Sequence, residues 1–211
     1  MQNIISYITD KYNPLCIVVY GSYADDTYNP LSDFDCMIIV ANKAAAHDTS
    51  VVDGVQLDLF IHSTDEVDLI DCTPFFYAKI IKDTNDIAKG LVNKAKSYIT
   101  NKAKKTILEK DSLKSWLCKM LARAKSDNAD GLFRRHWALT DSLEIYFDLR
   151  DKFYFGPKKA IATLRNDDVK GFQLFDNTLR SMDYNDFEEW IKHVVANTDQ
   201  NSARKVAYKE V

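Results

Sequence analysis

Three acidic side chains and a glycine-serine pair carry the chemistry that this sequence offers. Gly21-Ser22 ends an apolar run, Asp33 and Asp35 follow after a ten-residue gap, and Asp58 interrupts a later apolar run. A glycine at a sharp turn lets backbone N–H groups approach an anion such as a phosphate. Carboxylates that lie close together repel each other, and divalent cations such as Mg²⁺ relieve that repulsion through oxygen ligands. The pattern therefore predicts metal-dependent chemistry on a nucleoside triphosphate.

The elements that must position these groups are short apolar strands. Runs rich in β-branched and aromatic residues are typical of buried strands, and they cover residues 15–20, 34–40 and 55–61. Because side chains alternate between the two faces of a strand, Asp33 and Asp35 point to the same side. If the second and third strands are neighbours, Asp58 meets them on one face of the sheet. The open alternative is that the first two acids cap a strand or turn and that Asp58 lies at a solvated edge.

These ordered motifs resemble the signature of the DNA polymerase β-like nucleotidyltransferase superfamily. They are Val19-Tyr20-Gly21-Ser22, then Ser32-Asp33-Phe34-Asp35-Cys36, then a third acid in Leu57-Asp58-Leu59. The resemblance implies an α+β fold, with an N-terminal lobe built on a mixed β-sheet with flanking helices and a C-terminal helical bundle. It also implies that Gly21, Ser22 and Ser32 bind the nucleotide. Asp33, Asp35 and Asp58 would be the catalytic acids that hold two Mg²⁺ ions, with ATP or another NTP as co-substrate.

Composition limits the class of protein and the compartment. The 211 residues are 46% hydrophobic, without an apolar stretch long enough to cross a bilayer and without a signal-peptide core after Met1. The four cysteines are scattered, and most of them lie in apolar runs, which is typical of reduced thiols in a cytoplasmic protein. Residues 1–70 carry a net charge of −9 and residues 71–211 one of +6. Neither part has the dense basic stripe of a nucleic-acid binder, so we expect a small-molecule acceptor and neither nucleic acid nor membrane as a partner.

The pattern divides the chain into a catalytic domain at residues 1–86 and a helical bundle domain at residues 87–211. In the first domain we expect a helix at 3–12, a short helix with a capping box from Ser63 to Glu66, and a fourth strand at 75–81. In the second domain we expect four or five helices. They are 87–104, 113–125 capped by Asp111 or Ser112, 130–151 capped by Asp130, 158–164 after Pro157, and one that begins near Asn185.

The second half also resembles the helical domain of bacterial nucleotidyltransferases that inactivate antibiotics. The similar segment, residues 150–161, is an aromatic loop that leads into a Pro-Lys-Lys helix. The resemblance implies that Lys158, or alternatively Lys159, approaches the triphosphate, where a helix N-terminus adds its own positive end. The alternative is a solvated basic pair at the start of a helix.

The same resemblance implies an acceptor-activating carboxylate on the helical domain. Glu144 or Asp141 is the candidate for this general base, and the alternative is a surface stripe of charge anchored by Arg134. His62 and His136 are the imidazoles that we expect nearest to any cleft, and neither is assigned a role.

Together these expectations describe one reaction. An NMP, in the first instance AMP from ATP, moves onto a hydroxyl of a small molecule and pyrophosphate leaves. The acceptor would be an aminoglycoside or lincosamide, and the function antibiotic resistance. Asp58 either ligates the second metal or takes the proton of the acceptor. Two alternatives stay open: the same chemistry on a protein or RNA, as in antitoxin-like relatives, or a non-catalytic nucleotide-binding module. Such families often pair, so a homodimer is one option.

Overall fold

A computed structural model describes residues 1–102 and 104–196. Contacts divide the chain into two compact units, Met1–Lys102 and Ala103–Val211. The first unit contains the strands β1 Cys16–Val19, β2 Phe34–Val40, β3 His47–Asp48, β4 Val51–Val52, β5 Val55–Ser63 and β6 Lys79–Lys82, and the helices α1 Gln2–Tyr12 and α2 Ile87–Asn101. The second unit contains α3 Ile107–Arg123, α4 Ala129–Leu149, α5 Pro157–Asp167, α6 Val169–Ser181 and α7 Tyr184–Ala196. This arrangement confirms the expected α+β class, with the sheet before the helical part.

The first unit is built on a mixed sheet in the order β3-β5-β2-β1-β6, with β4 paired to β5. β2 and β5 run parallel, and the remaining pairs are antiparallel. In the parallel pair, Phe34 lies opposite Leu57 and Asp35 lies opposite Asp58. The second and third apolar runs are therefore neighbouring strands, which was the condition for the three acids to share one face.

Helices cover both faces of the sheet. α1 covers one face, where its Ile4 and Ile8 pack against alternate residues of β1, β2 and β5. α2 covers the other face, where Leu91 and Ala95 pack with residues such as Met37. Because β1 and β2 are buried on both faces, their sequences are almost continuously apolar. Asp35 is the polar exception in β2.

The helix at 87–101 was expected in the helical domain, but the contacts assign it to the first unit. Its Ala88, Leu91, Val92 and Ala95 are buried against the sheet and against the short turns that precede β6. The break between the units therefore follows α2, at Lys102, and does not precede it at residue 86.

Two further differences concern strands. In place of the expected strand at 75–81, the chain forms a 3-10 turn, Thr73–Tyr77, and then the shorter strand β6. Pro74 lies near the start of the turn and has no N–H to donate to a neighbouring strand. The hairpin of β4 and β5 was not expected, although Asp53-Gly54 is a characteristic two-residue hairpin loop. Both of its residues have positive φ, 53° and 78°, as a type I′ turn requires. The capping box predicted from Ser63 to Glu66 is confirmed, on a 3-10 helix at Thr64–Leu69.

Within residues 104–196, the described part of the second unit, five helices enclose a core centred on the fully buried Trp190. The starts of α3 and α4 differ from the expected ones. α3 begins with a capping box of Thr106 and Glu109, and the side chain of Asn128 caps α4. α6 was not expected, because Gly171 in its first turn lowers helix propensity; the side chain of Asp168 caps it by accepting from the Gly171 N–H. Among the described residues, no helix is long and apolar enough to span a membrane.

Candidate active site

The structure brings the three predicted carboxylates together. Asp33 immediately precedes β2, Asp35 is its second residue, and Asp58 lies on β5 opposite Asp35. Each of the three offers an oxygen within 4.8 Å of the oxygens offered by the other two. Asp33 is exposed and the other two are half-buried, so a solvent-accessible ligand can reach all three.

Backbone geometry explains this convergence. Asp33 and Asp35 are two residues apart and share a face, because side chains alternate along a strand. The parallel register of β2 and β5 then places Asp58 beside Asp35 on that face. The donor set consists of carboxylate oxygens only, which suits hard cations such as Mg²⁺, and a divalent cation offsets the repulsion between like charges at this distance. These residues therefore fit a metal of this type.

The Gly21 turn lies directly against Asp35. Gly21 opens the 3-10 turn Gly21–Tyr23 with a φ of 63°, a conformation that side chains disfavour. A Cβ at this position would also collide with the carboxylate of Asp35. In the same place, the N–H of Tyr20 donates to the carbonyl of Asp35 at 3.1 Å. Glycine is thus required here both by the backbone conformation and by the close approach of an acidic side chain.

The loop between the two motifs is held by its own contacts. The ring of Tyr23 stacks on Tyr28 at 4.4 Å and meets Phe34 edge-on at 5.0 Å. The N–H of Asn29 donates to the hydroxyl oxygen of Ser32 at 3.0 Å. Ser22 contributes its carbonyl, which accepts from the N–H of Thr27. The nucleotide-binding roles of Ser22 and Ser32 remain predictions.

Tyr20 is a residue near the acids that sequence reasoning missed. Burial raises the pKa of its phenol, and the negative charges of Asp35, Asp58 and Asp33 raise it further. The phenol therefore stays protonated across the physiological pH range. The ring packs edge-on against Phe75 at 5.3 Å. The only sequence signal was its place immediately before Gly21-Ser22.

A second missed residue is His47 of β3. Its Nε2 lies 2.6 Å from Oδ1 of Asp58, and its ring stacks on Phe60 at 4.6 Å. The imidazoles expected nearest to a cleft were His62 and His136, and neither was assigned a role. His62 instead lies 3.6 Å from Glu66. Burial lowers the pKa of His62, and this effect outweighs the negative charge of Glu66, which acts to raise it. A two-residue strand leaves no periodic signal, so the sequence alone did not indicate the placement of His47.

The other predicted residues belong to the second unit. Glu144 and Asp141 line a pocket of about 460 Å³ together with Leu113, Trp116, Ile145 and Asp148. The guanidinium of Arg134, at the start of this stripe, pairs with Asp130 at 2.9 Å. Lys158 follows Pro157 in the first turn of α5, as the Pro-Lys-Lys pattern predicts. The catalytic role of Glu144 and the nucleotide-binding role of Lys158 remain predictions.

Comparison with known proteins finds a family match within the first unit. Residues 2–90 match the family described as polymerase beta, nucleotidyltransferase. No curated protein matches the sequence significantly.

Two solved structures are similar to the chain at low identity. A nucleotidyltransferase-like protein from Exiguobacterium sibiricum 255-15 is 11% identical, with coverage of 97% of this chain and 77% of that one and a TM-score of 0.41. A toxin-antitoxin with AMP-PNP is 16% identical, with coverage of 47% and 86% and a TM-score of 0.31. At these TM-scores neither likeness supports a conclusion.

Proposed function

We propose that the protein transfers a nucleoside monophosphate from an NTP to a hydroxyl of a small molecule, because residues 2–90 match the polymerase beta nucleotidyltransferase family. The observation that carries this proposal is the convergence of Asp33, Asp35 and Asp58 beside the Gly21 turn. A binding module has no need to hold three mutually repelling acids together, whereas a transferase uses them to bind cations and to take a proton.

The chain's own residues divide the work. The backbone of the Gly21-Ser22 turn would bind the triphosphate through its N–H groups, and the side chains of Ser22 and Ser32 are the proposed hydroxyl contacts. Asp33, Asp35 and Asp58 would hold two Mg²⁺ ions. When bound, such ions neutralise phosphate charge and lower the pKa of a coordinated hydroxyl. Lys158 is proposed as an additional contact to the triphosphate.

The reaction is a displacement at phosphorus. The hydroxyl oxygen of the acceptor forms a bond to the α-phosphorus, and the bond between this phosphorus and the oxygen that bridges to the β-phosphorus breaks. Pyrophosphate carries away the electron pair of the broken bond. The hydroxyl proton passes to a carboxylate, for which Asp58 and Glu144 are the candidates. Most of the acceleration would come from positioning and charge neutralisation.

The acceptor that we propose is a hydroxylated cation, with an aminoglycoside as the first class to test and a lincosamide as the second. The pocket beside Glu144 supports this choice, because Asp141, Glu144 and Asp148 supply negative charge and Trp116 supplies an aromatic wall. This pocket accounts for charge recognition only. Resistance to such an antibiotic would then be the cellular consequence.

The direct test is pyrophosphate release with Mg²⁺ and each of the four NTPs, over a panel of aminoglycosides, lincosamides, unrelated proteins and tRNA. We expect release with at least one aminoglycoside or lincosamide, and a product heavier by one NMP in mass spectrometry. Release only with protein or tRNA would replace the small-molecule acceptor by a macromolecular one. NTP binding without release for any acceptor, with Asp33→Asn as the blank, would favour a binding module.

A further inference from the structure

The short strand β3 carries two polar side chains, one on each of its faces. It pairs antiparallel with β5, so that His47 lies opposite Phe60 and Asp48 lies opposite Leu59. Since neighbouring residues of a strand point to opposite faces, these two side chains meet different surroundings. His47 is exposed on the side of Asp58, and Asp48 is buried on the side of α1.

Asp48 anchors the strand to α1. Its Oδ2 accepts from the hydroxyl of Tyr12 at 2.6 Å and from Nζ of Lys11 at 3.0 Å, and its Oδ1 accepts from Ser50. Burial alone would raise the pKa of Asp48, but the hydrogen bonds from Ser50, Tyr12 and Lys11 outweigh it and hold the pKa far below its usual range. A charged, fully bonded carboxylate on its inner face therefore fixes the position of a strand that is only two residues long.

On the outer face, His47 is bonded to the third acid of the cluster. Its Nε2 lies 2.6 Å from Oδ1 of Asp58, and an ionised carboxylate can only accept, so Nε2 carries the hydrogen of this bond. The imidazole stacks on Phe60 with 23° between the ring planes, which limits its rotation. This hydrogen bond occupies Oδ1 of Asp58 and fixes the orientation of the carboxylate, and with it the direction in which Oδ2 points.

We infer that His47 is a positioning residue, which holds Asp58 in the orientation that its role in the acidic cluster requires. The inference rests on the proposed function, because it concerns the carboxylate that would bind the second cation or take the proton. Groups that hydrogen-bond a ligating carboxylate typically affect metal affinity or activity by about 10- to 100-fold when they are removed.

The experiment compares His47→Ala, His47→Gln and His62→Gln in the full-length protein. His62 is the matched control, since it is a β5 histidine near a carboxylate, Glu66, that lies outside the acidic cluster. Mn²⁺ affinity is measured by electron paramagnetic resonance, without substrates. For His47→Ala we expect a loss of about 10- to 100-fold in affinity, with an unchanged melting temperature. His47→Gln should recover part of that loss, because its amide nitrogen can donate in place of Nε2, and His62→Gln should behave as the wild type.

A double-mutant cycle tests whether His47 acts through Asp58. In the Asp58→Asn background, His47→Ala should have no further effect on Mn²⁺ affinity, since the group that it orients is already changed. Equal effects in both backgrounds, or an unchanged affinity in His47→Ala, would overturn the inference. Failure of His47→Gln to recover any affinity would overturn the donor role.

Turnover separates this inference from the proposed function. If the wild type transfers no nucleotide to any acceptor but Mn²⁺ affinity still depends on His47, the proposed function fails and the positioning role stands. If transfer occurs and both kcat and Mn²⁺ affinity are indifferent to His47, the positioning role fails and the function stands. Where both stand, kcat should fall in His47→Ala with a smaller change in the KM for NTP, because the NTP is bound mainly elsewhere.

Discussion

Each unit of this molecule contains a histidine that lies 2.6 Å from an aspartate, and the two pairs differ in exposure and in the groups around them. In the first unit, His47 and Asp58 are 40% and 35% exposed, and the aspartate has two further acids beside it. In the second unit, His193 and Asp168 are 8% and 20% exposed. There, Asp168 also accepts from the hydroxyl of Tyr146 and caps α6.

The difference shows that surroundings, not residue types, decide the role of such a pair. Every described partner of Asp168 is a donor from its own unit, so this carboxylate is satisfied and ties three helices together. Asp58 instead lies beside two further carboxylates, and a divalent cation would offset the repulsion among the three. The contacts of Asp168 indicate a structural role, and the surroundings of Asp58 agree with the proposed metal site. Substitutions in the two units should therefore separate activity from stability.

The largest effect is expected for the acids of the first unit. Asp33→Asn and Asp35→Asn should each lower nucleotidyl transfer by about 10³-fold or more, because each removes charge at the site of the reaction. The melting temperature should stay equal or rise, since repulsion between the carboxylates is relieved. Labelled-NMP incorporation and thermal unfolding measure the two effects. Asp10→Asn, on the exposed face of α1, is the control, and transfer retained by both site variants would contradict the assignment.

Gly21→Ala should have the next largest effect, and it should act on both properties. The new Cβ meets the carboxylate of Asp35, so we expect a loss of about 10²-fold in activity from the displaced acid. The positive φ should cost about 1–2 kcal/mol in the free energy of unfolding. Gly90→Ala in α2 is the matched control, because a Cβ there meets nothing within 4 Å. It should stabilise the helix by up to about 1 kcal/mol, and equal behaviour of the two variants would show that the turn tolerates a side chain.

In the second unit, Asp168→Ala should destabilise by about 2–4 kcal/mol. The substitution removes the cap of α6 and leaves the buried side chains of Tyr146 and His193 without their acceptor. Urea unfolding measures the change. Asp176→Ala breaks an exposed pair with Arg180 in the same helix and should cost less than about 0.5 kcal/mol beyond helix propensity. Similar losses in both variants would mean that Asp168 is not the structural centre that its contacts indicate.

The smallest expected effect is on pH dependence. Burial acts to raise the pKa of Asp168, but the hydrogen bonds from His193, Gly171 and Tyr146 lower it below its unfolded value. A depressed folded pKa contributes stability that is present above the unfolded pKa, near 3.9, and is lost as pH falls through the folded pKa. The stability difference between the wild type and Asp168→Asn should therefore be smaller at pH 3 than at pH 7. A difference that grows at pH 3 would reverse the sign of this argument.

Local rules were enough to predict much of the first unit. Period-two alternation placed Asp33 and Asp35 on one face, and the apolar runs located β1, β2 and β5 within a residue or two. Such rules failed where pairing partners lie far apart in the sequence. β3 has only His47 and Asp48, and its position depends on ladder bonds to β5 and on the contacts of Asp48 with α1. In the same way, the amphipathic pattern of residues 87–101 predicted that α2 is a helix, but it did not predict the unit against which the helix packs.

Residue types and short spacings thus determined that two acids share a face, that a glycine turn precedes them and that a third acid interrupts an apolar strand. Only the folded chain decided that Asp58 lies opposite Asp35 and that His47 bonds to it. The physical reason is the distance along the chain between the residues that interact. Alternation and turn geometry are set by the bonds of a few neighbouring residues, whereas strand order and register are set by the burial of both faces of the sheet under α1 and α2, which lie far apart in the chain.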